Sequence, residues 1–194
     1  MTVHTTRSTL TAAVSLLVLG LAGCSSTQGG EPEPNTGRQT ISAASDPLHI
    51  DQPKNLAGLT APCQLLTPQQ LQELGAGASE QDKSEWGQAA CRWRNQQLAI
   101  KVSPDTVQGQ GLDYTAKIYG DGSGNPNAQV SGYPAVHGGV NDLRCNVFVG
   151  VSDKQVLSVS FTTGSEGRSN PEYADPCAMA DKVAGLVLSN LPPA

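Results

Sequence analysis

Five cysteines punctuate this chain of 194 residues: Cys24, Cys63, Cys91, Cys145 and Cys177. An odd number cannot all pair within one molecule, so one of them has another task. What precedes Cys24 decides which. Residues 1–23 have the three parts of a secretory signal: the positive Arg7, an apolar run over 12–21, and the small-residue approach Leu21-Ala22-Gly23. That run is half of the roughly 20 residues needed to span a bilayer, so it reads as cleavable and not as a permanent membrane helix. With no twin arginine in it, the general secretory route is expected.

Leu21-Ala22-Gly23-Cys24 resembles the lipobox of bacterial lipoproteins, in which the cysteine is acylated and becomes the new N-terminus. Each buried methylene adds about 0.8 kcal/mol of membrane affinity, so two or more chains anchor stably. Cys24 is thus the lipidation candidate, on the outer face of the cell membrane, and four cysteines remain for disulfides.

Losing residues 1–23 removes Arg7 and no acidic residue, leaving 11 Lys+Arg against 17 Asp+Glu and a formal charge of -6. This balance argues against a nucleic-acid partner and against a basic membrane-binding patch. Residues 24–58, with "STQGGEPEPNTGRQT", carry too little apolar surface to offset the entropy of ordering and read as a disordered tether. Residues 59–194 are one domain's worth of chain.

That domain opens with "PCQLLTPQQLQELG". Thr67 is placed as an N-cap, Pro68 fits the first helical position, Gln70 completes a capping box, and Gly75 is a natural stop. Leu66 and Leu71 sit where a hydrophobic staple would form. "QAACRWRN" and "QLAIKVSP" predict two strands around a turn at Asn95-Gln96, with Ala89, Cys91 and Trp93 on one face and Arg92 and Arg94 on the other. A helix is expected over 112–119, then a loop at "GDGSGNPN", then a Pro-interrupted strand in "AQVSGYPAVHGG" suited to a sheet edge. The clearest hairpin is "RCNVFVGVSDKQVLSVSFTT": Cys145, Val147, Val149 and Val151 alternate on one strand, and Leu157, Val159 and Phe161 on its return. In "ADPCAMADKVAGLVLSNLP", Asp175 caps a closing helix, Pro176 starts it, and Cys177, Ala180, Ala184 and Val187 form its apolar stripe. The fold class expected is α+β, an antiparallel sheet with a short N-terminal and a C-terminal helix packed on it.

"PCQLLTPQQLQELG", the following "CRW", and the late cysteine before a helix ending in "LP" together resemble the DUF3558 family of actinobacterial lipoproteins, over roughly 59–192. The resemblance implies an envelope lipoprotein with two disulfides and a fold similar to the PsbP and Mog1 proteins. It implies no catalytic or ligand-binding residue. Four cysteines allow three connectivities. Cys145 and Cys177 both face one core, from strand and helix, and can meet where these pack. Cys63, just before the first helix, is left for Cys91.

Chemistry-bearing residues are few. His4 falls in the signal and His49 in the tether, so His137 is alone in the domain, too little for zinc when the cysteines are oxidised. "HGGV" at 137–140 has no G-x-S-x-G elbow to accompany it. "DGSGNPN" starts like a calcium loop, with Asp121, Ser123, Asn125 and Asn127, but has Pro126 for the central glycine and Gly132 for the closing Glu. Gly109 and Gly111 stop short of a phosphate-binding G-x-G-x-x-G, because Tyr114 takes the third place. No catalytic residue, metal or cofactor is assigned. Trp93 is read as core, while Trp86, in "KSEWGQ", and Tyr133 are the candidates for contact with a partner. The expectation is a non-enzymatic envelope protein that binds or scaffolds an envelope protein or small ligand. A carrier of an apolar or lipid ligand held between sheet and helix is the alternative, and a cell-wall-acting enzyme the second.

Overall fold

The computed structural model describes residues 46–57, 59 and 61–194. Cys24, the expected signal and the first part of the expected tether lie outside the described residues. Seven strands form one antiparallel sheet: β1 (Ser79–Lys83), β2 (Ala89–Arg94), β3 (Leu98–Asp105), β4 (Ala128–Val130), β5 (Tyr133–Asn141), β6 (Arg144–Ser152) and β7 (Gln155–Thr163). Their order across the sheet is β1-β2-β3-β7-β6-β5-β4, so β7 lies at the centre. Among the described residues there are three α-helices, α1 (Pro68–Glu73), α2 (Gly111–Tyr119) and α3 (Pro176–Asn190). Among the described residues no helix is long and apolar enough to cross a membrane.

The helix signals act as their chemistry demands. The Thr67 side chain accepts from the Gln70 N–H and the Gln70 side chain from the Thr67 N–H, closing both halves of the capping box. Asp175 accepts from the N–H groups of Cys177 and Ala178 at the start of α3. Alternation on the strands then builds the core. Cys91, Trp93, Ile100, Val102, Cys145, Val147, Val149, Leu157, Val159 and Phe161 are all fully buried on one face. Ala180, Val183, Ala184 and Val187 of α3 fill the space over that face, against β6 and β7. The Trp93 indole N–H is buried there without a hydrogen-bond partner.

Both disulfides have the expected pairing. Cys63–Cys91 ties the turn before α1 to β2, and Cys145–Cys177 ties β6 to the first turn of α3. α2 lies on the opposite face, where Leu112 and Ala116 cover Val136, Phe148 and Val156. It comes close because β5 and β6 have glycines beneath it. A Cβ at Gly138 would stand 2.6 Å from the Tyr119 carbonyl oxygen, and one at Gly150 3.1 Å from Leu112 Cβ.

Two features differ from expectation. Strand β1, "SEQDK", has no apolar alternation to signal it; it exists by pairing with β2 from Ser79↔Trp93 to Lys83↔Ala89. The end of the expected tether is ordered. The Lys54 N–H donates to the Val151 carbonyl at 2.8 Å, the Asn55 N–H to that of Pro192 at 3.1 Å, and Lys54 bridges Pro193. Leu56 is 1% exposed, in the main core. The packed body therefore begins before residue 59, because Leu56, Ile50 and Leu48 dock on the core clusters and a short run of backbone hydrogen bonds adds to them.

Leu56→Ala should destabilise the domain by about 2–5 kcal/mol, as for other buried leucines, and a chain starting at residue 59 by more; urea unfolding measures both. Reduction of the disulfides, whose partners are 28 and 32 residues apart, should remove roughly 3–4 kcal/mol each in the chain-entropy account. A melting temperature unchanged by reductant would contradict that.

Candidate ligand-binding groove

A strand that sends alternate residues to the core sends the others to the opposite face, and antiparallel registers place those in rows. One row runs Arg92–Lys101–Ser160–Asn146 across β2, β3, β7 and β6. Beside it run Arg94–Ala99–Thr162–Arg144 on one side and Ser103–Ser158–Phe148 on the other. α2 covers the β5 and β6 end of this face and leaves the rest open. The result is a concavity of about 390 Å³ floored by these three rows, with Ser84, Glu85, Trp86 and Tyr119 as its wall.

The aromatic wall is built by stacking. Tyr119 lies on Phe148 with ring centroids 4.7 Å apart, and Trp86 meets Tyr119 edge-on at 6.3 Å. The Tyr119 hydroxyl donates to Glu85 Oε2 at 3.3 Å, and burial followed by that carboxylate pushes its pKa up, so the phenol stays neutral.

Most cations of the groove already face carboxylates of β1. Arg92 and Lys101 approach Asp82 Oδ2 at 2.7 and 3.4 Å, and Arg94 approaches Glu80 at 3.3 Å. The Lys83 N–H, with the charges of Lys101 and Arg92, holds Asp82 below the ordinary carboxylate range against the opposing effect of burial. Arg144 has no ion pair and no side-chain hydrogen bond among the described residues. The lining thus holds Arg92, Arg94, Lys101 and Arg144 against one carboxylate, Glu85, in a chain of net charge -5. Chemically it can accept an anion at one end, exchange hydrogen bonds in the middle, and stack a ring at the other.

The residues singled out from sequence are scattered. Trp86 joins the groove wall, half-buried. Tyr133 lies away from the groove: it is 9% exposed, and its hydroxyl donates to the Gln52 carbonyl at 2.6 Å in the ordered segment before residue 58. In the 121–127 loop, Asp121 accepts from the Ser123 N–H and Ser123 from that of Asn125, so these oxygens serve their own turn. His137 lies on the other face of the sheet, its Nε2 2.8 Å from Asp181 Oδ1. One ring nitrogen and the sulfurs of Cys145 and Cys177 lie within 4.8 Å of one another, but the two sulfurs are bonded together and offer a metal no thiolate.

A family model described as "Protein of unknown function (DUF3558)" matches residues 19–190. The chain belongs to the DUF3558 family. No curated protein and no solved structure matches it. The match spans all five cysteines and every residue of the DUF3558 groove. Of that groove, the sequence marks Trp86 and Tyr119 as aromatic residues and Arg92 and Arg94 as the strand face turned away from Cys91 and Trp93. Ser158, Ser160 and Thr162 carry a signal too, as the polar half of the β7 alternation, but nothing in the sequence sets them beside Arg92 or Arg144.

Asp181 holds the His137 pKa above the ordinary histidine range, chiefly by hydrogen bond, while burial opposes it. A pKa raised by folding adds stability that is complete below the unfolded value, near 6.5, and is lost as pH rises through the folded one. This DUF3558 domain should therefore melt lower as pH climbs from about 6 to 8, through the histidine range. Asp181→Asn should flatten that part of the profile, which thermal unfolding across pH measures.

Proposed function

We propose that this protein is a lipid-anchored binding protein of the cell envelope. Acylated Cys24 holds it at the outer face of the membrane, and its domain takes a small ligand in the sheet-face groove without reacting with it. The observation that carries this reading is the convergence of cations, hydroxyls and an aromatic wall on one concavity of about 390 Å³, within the range of small-molecule sites. The groups come from four strands, α2 and the turn between β1 and β2, so no single local structural need accounts for them.

The other readings fit this geometry less well. A carrier of a purely apolar ligand needs room between sheet and helix, and that space is filled by fully buried side chains such as Val147, Val159, Ala180, Val183 and Val187. Acid–base hydrolysis of a glycan calls for a pair of carboxyl groups, and Glu85 is the one carboxylate in the lining.

Native mass spectrometry of the protein purified from its own envelope should find a small molecule retained, and Ser160→Trp, which fills the floor of the groove, should lose it. Retention unchanged by Ser160→Trp would reject the groove. For the anchor, Cys24→Ser should release the protein from membranes or leave it as an uncleaved precursor; normal processing with continued membrane association would reject lipidation.

A further inference from the structure

We infer that the ligand of this groove is an anionic saccharide, a sugar ring carrying a phosphate or carboxylate, an inference that rests on the groove being the binding site. Three properties of the lining select it. The positive potential is unevenly distributed. At the β2 and β3 end, Asp82 and Glu80 offset Arg92, Lys101 and Arg94, whereas Arg144 on β6 faces no carboxylate among the described residues. Arg94 and Arg144 share one cross-strand row but stand three strand spacings apart, roughly 14 Å, so β1's acids do little to screen Arg144. An anion is therefore drawn to Arg144, whose planar guanidinium matches a phosphate or carboxylate with two parallel hydrogen bonds.

The aromatic wall lies along the same strand. Phe148 is four residues from Arg144 on β6, roughly 13 Å along the backbone, and the length of the arginine side chain shortens that gap. Tyr119 over Phe148, flanked by Trp86, offers a flat apolar surface of about one ring, which suits the C–H face of a sugar and is too small for an acyl chain. Between these ends lie Ser158, Ser160, Thr162 and Asn146, groups that both donate and accept. Such a floor pairs with a polyhydroxylated ligand; an acyl chain would leave it without partners. Ring at Tyr119, hydroxyls over β7 and anion at Arg144 use all three properties at once.

Glucose 1-phosphate and glucuronate, titrated against the full chain and followed by Trp86 fluorescence and calorimetry, should bind at least tenfold more tightly than glucose or inorganic phosphate alone. Arg144→Gln, exposed at the strand end, should weaken binding tenfold or more, as loss of a charge-assisted contact implies. Trp86→Leu, followed by calorimetry, should weaken glucose 1-phosphate by more than it weakens inorganic phosphate, and melting curves check that each variant is folded. Vesicles containing phosphatidylinositol separate two sources of this chemistry: binding to them but not to free inositol phosphate marks a lipid headgroup, and the reverse a soluble sugar phosphate. Sugar phosphates binding no better than phosphate, or Arg144→Gln binding like wild type, would overturn the inference. If Ser160→Trp then still loses a retained molecule of other chemistry, the groove stands and only the ligand class fails.

Discussion

The pleat of β7 commits each of its side chains to one of two faces, and the rest of the molecule is arranged around that choice. β7 is hydrogen-bonded on both sides, to β3 from Leu98↔Thr163 to Asp105↔Val156 and to β6 from Arg144↔Thr162 to Ser152↔Gln155. A slip of one residue would put Ser158, Ser160 and Thr162 under α3 and expose Leu157, Val159 and Phe161. Each unsatisfied hydroxyl would cost about 1–3 kcal/mol and each lost apolar burial about 1.5–3 kcal/mol, together comparable to the whole stability of a domain. Register is therefore fixed by the inner face, and with it the composition of the outer one. The two disulfides act from the same side. Cys91 and Cys145 both lie among the fully buried residues and lock their strands to the turn before α1 and to α3. A face held this firmly can leave its reverse open to solvent.

What can be read from the sequence is whatever is local or periodic. The Thr67–Gln70 capping box, the Asp175 cap and the alternation in β6 and β7 need only neighbours within a turn or a strand. The pairing of Cys145 with Cys177 follows because both carry the core pattern of their own element. Features made by distant partners are silent. β1 is polar throughout and is held by its ladder to β2 and by the ion pairs of Glu80 and Asp82. Leu56 falls in a segment with no sustained apolar period, and distant groups give that segment its place: the Leu56 N–H donates to Gln155, and its neighbours Lys54 and Asn55 donate to Val151 and Pro192. Tyr133 reads as exposed because the segment covering it has the composition of a tether. Arg92 and Arg94 fall on the outer face by alternation alone, yet the groove needs the strand order to bring β2 within reach of Arg144.

β1 has a second consequence for the groove. Arg92, Arg94 and Lys101 lie close together on neighbouring strands, and left alone they would repel one another and favour extended, solvated side chains. Asp82, which accepts the Lys83 N–H and stays ionised well into acid, draws Arg92 and Lys101 to one oxygen, and Glu80 draws Arg94. The Lys101 ammonium also donates to the Lys83 carbonyl at 2.6 Å, which fixes it over the edge of the sheet. These cations are thereby positioned and part-neutralised, and they offer an incoming anion little net charge. Arg144 is left as the exposed positive end, with Phe148 and the aromatic wall four residues further along its own strand. An electrostatic gradient thus runs through the groove from an edge that is nearly balanced to one that is not. The β1 carboxylates thus do two things at once: they help hold the polar edge strand to β2, and they set the direction of that gradient.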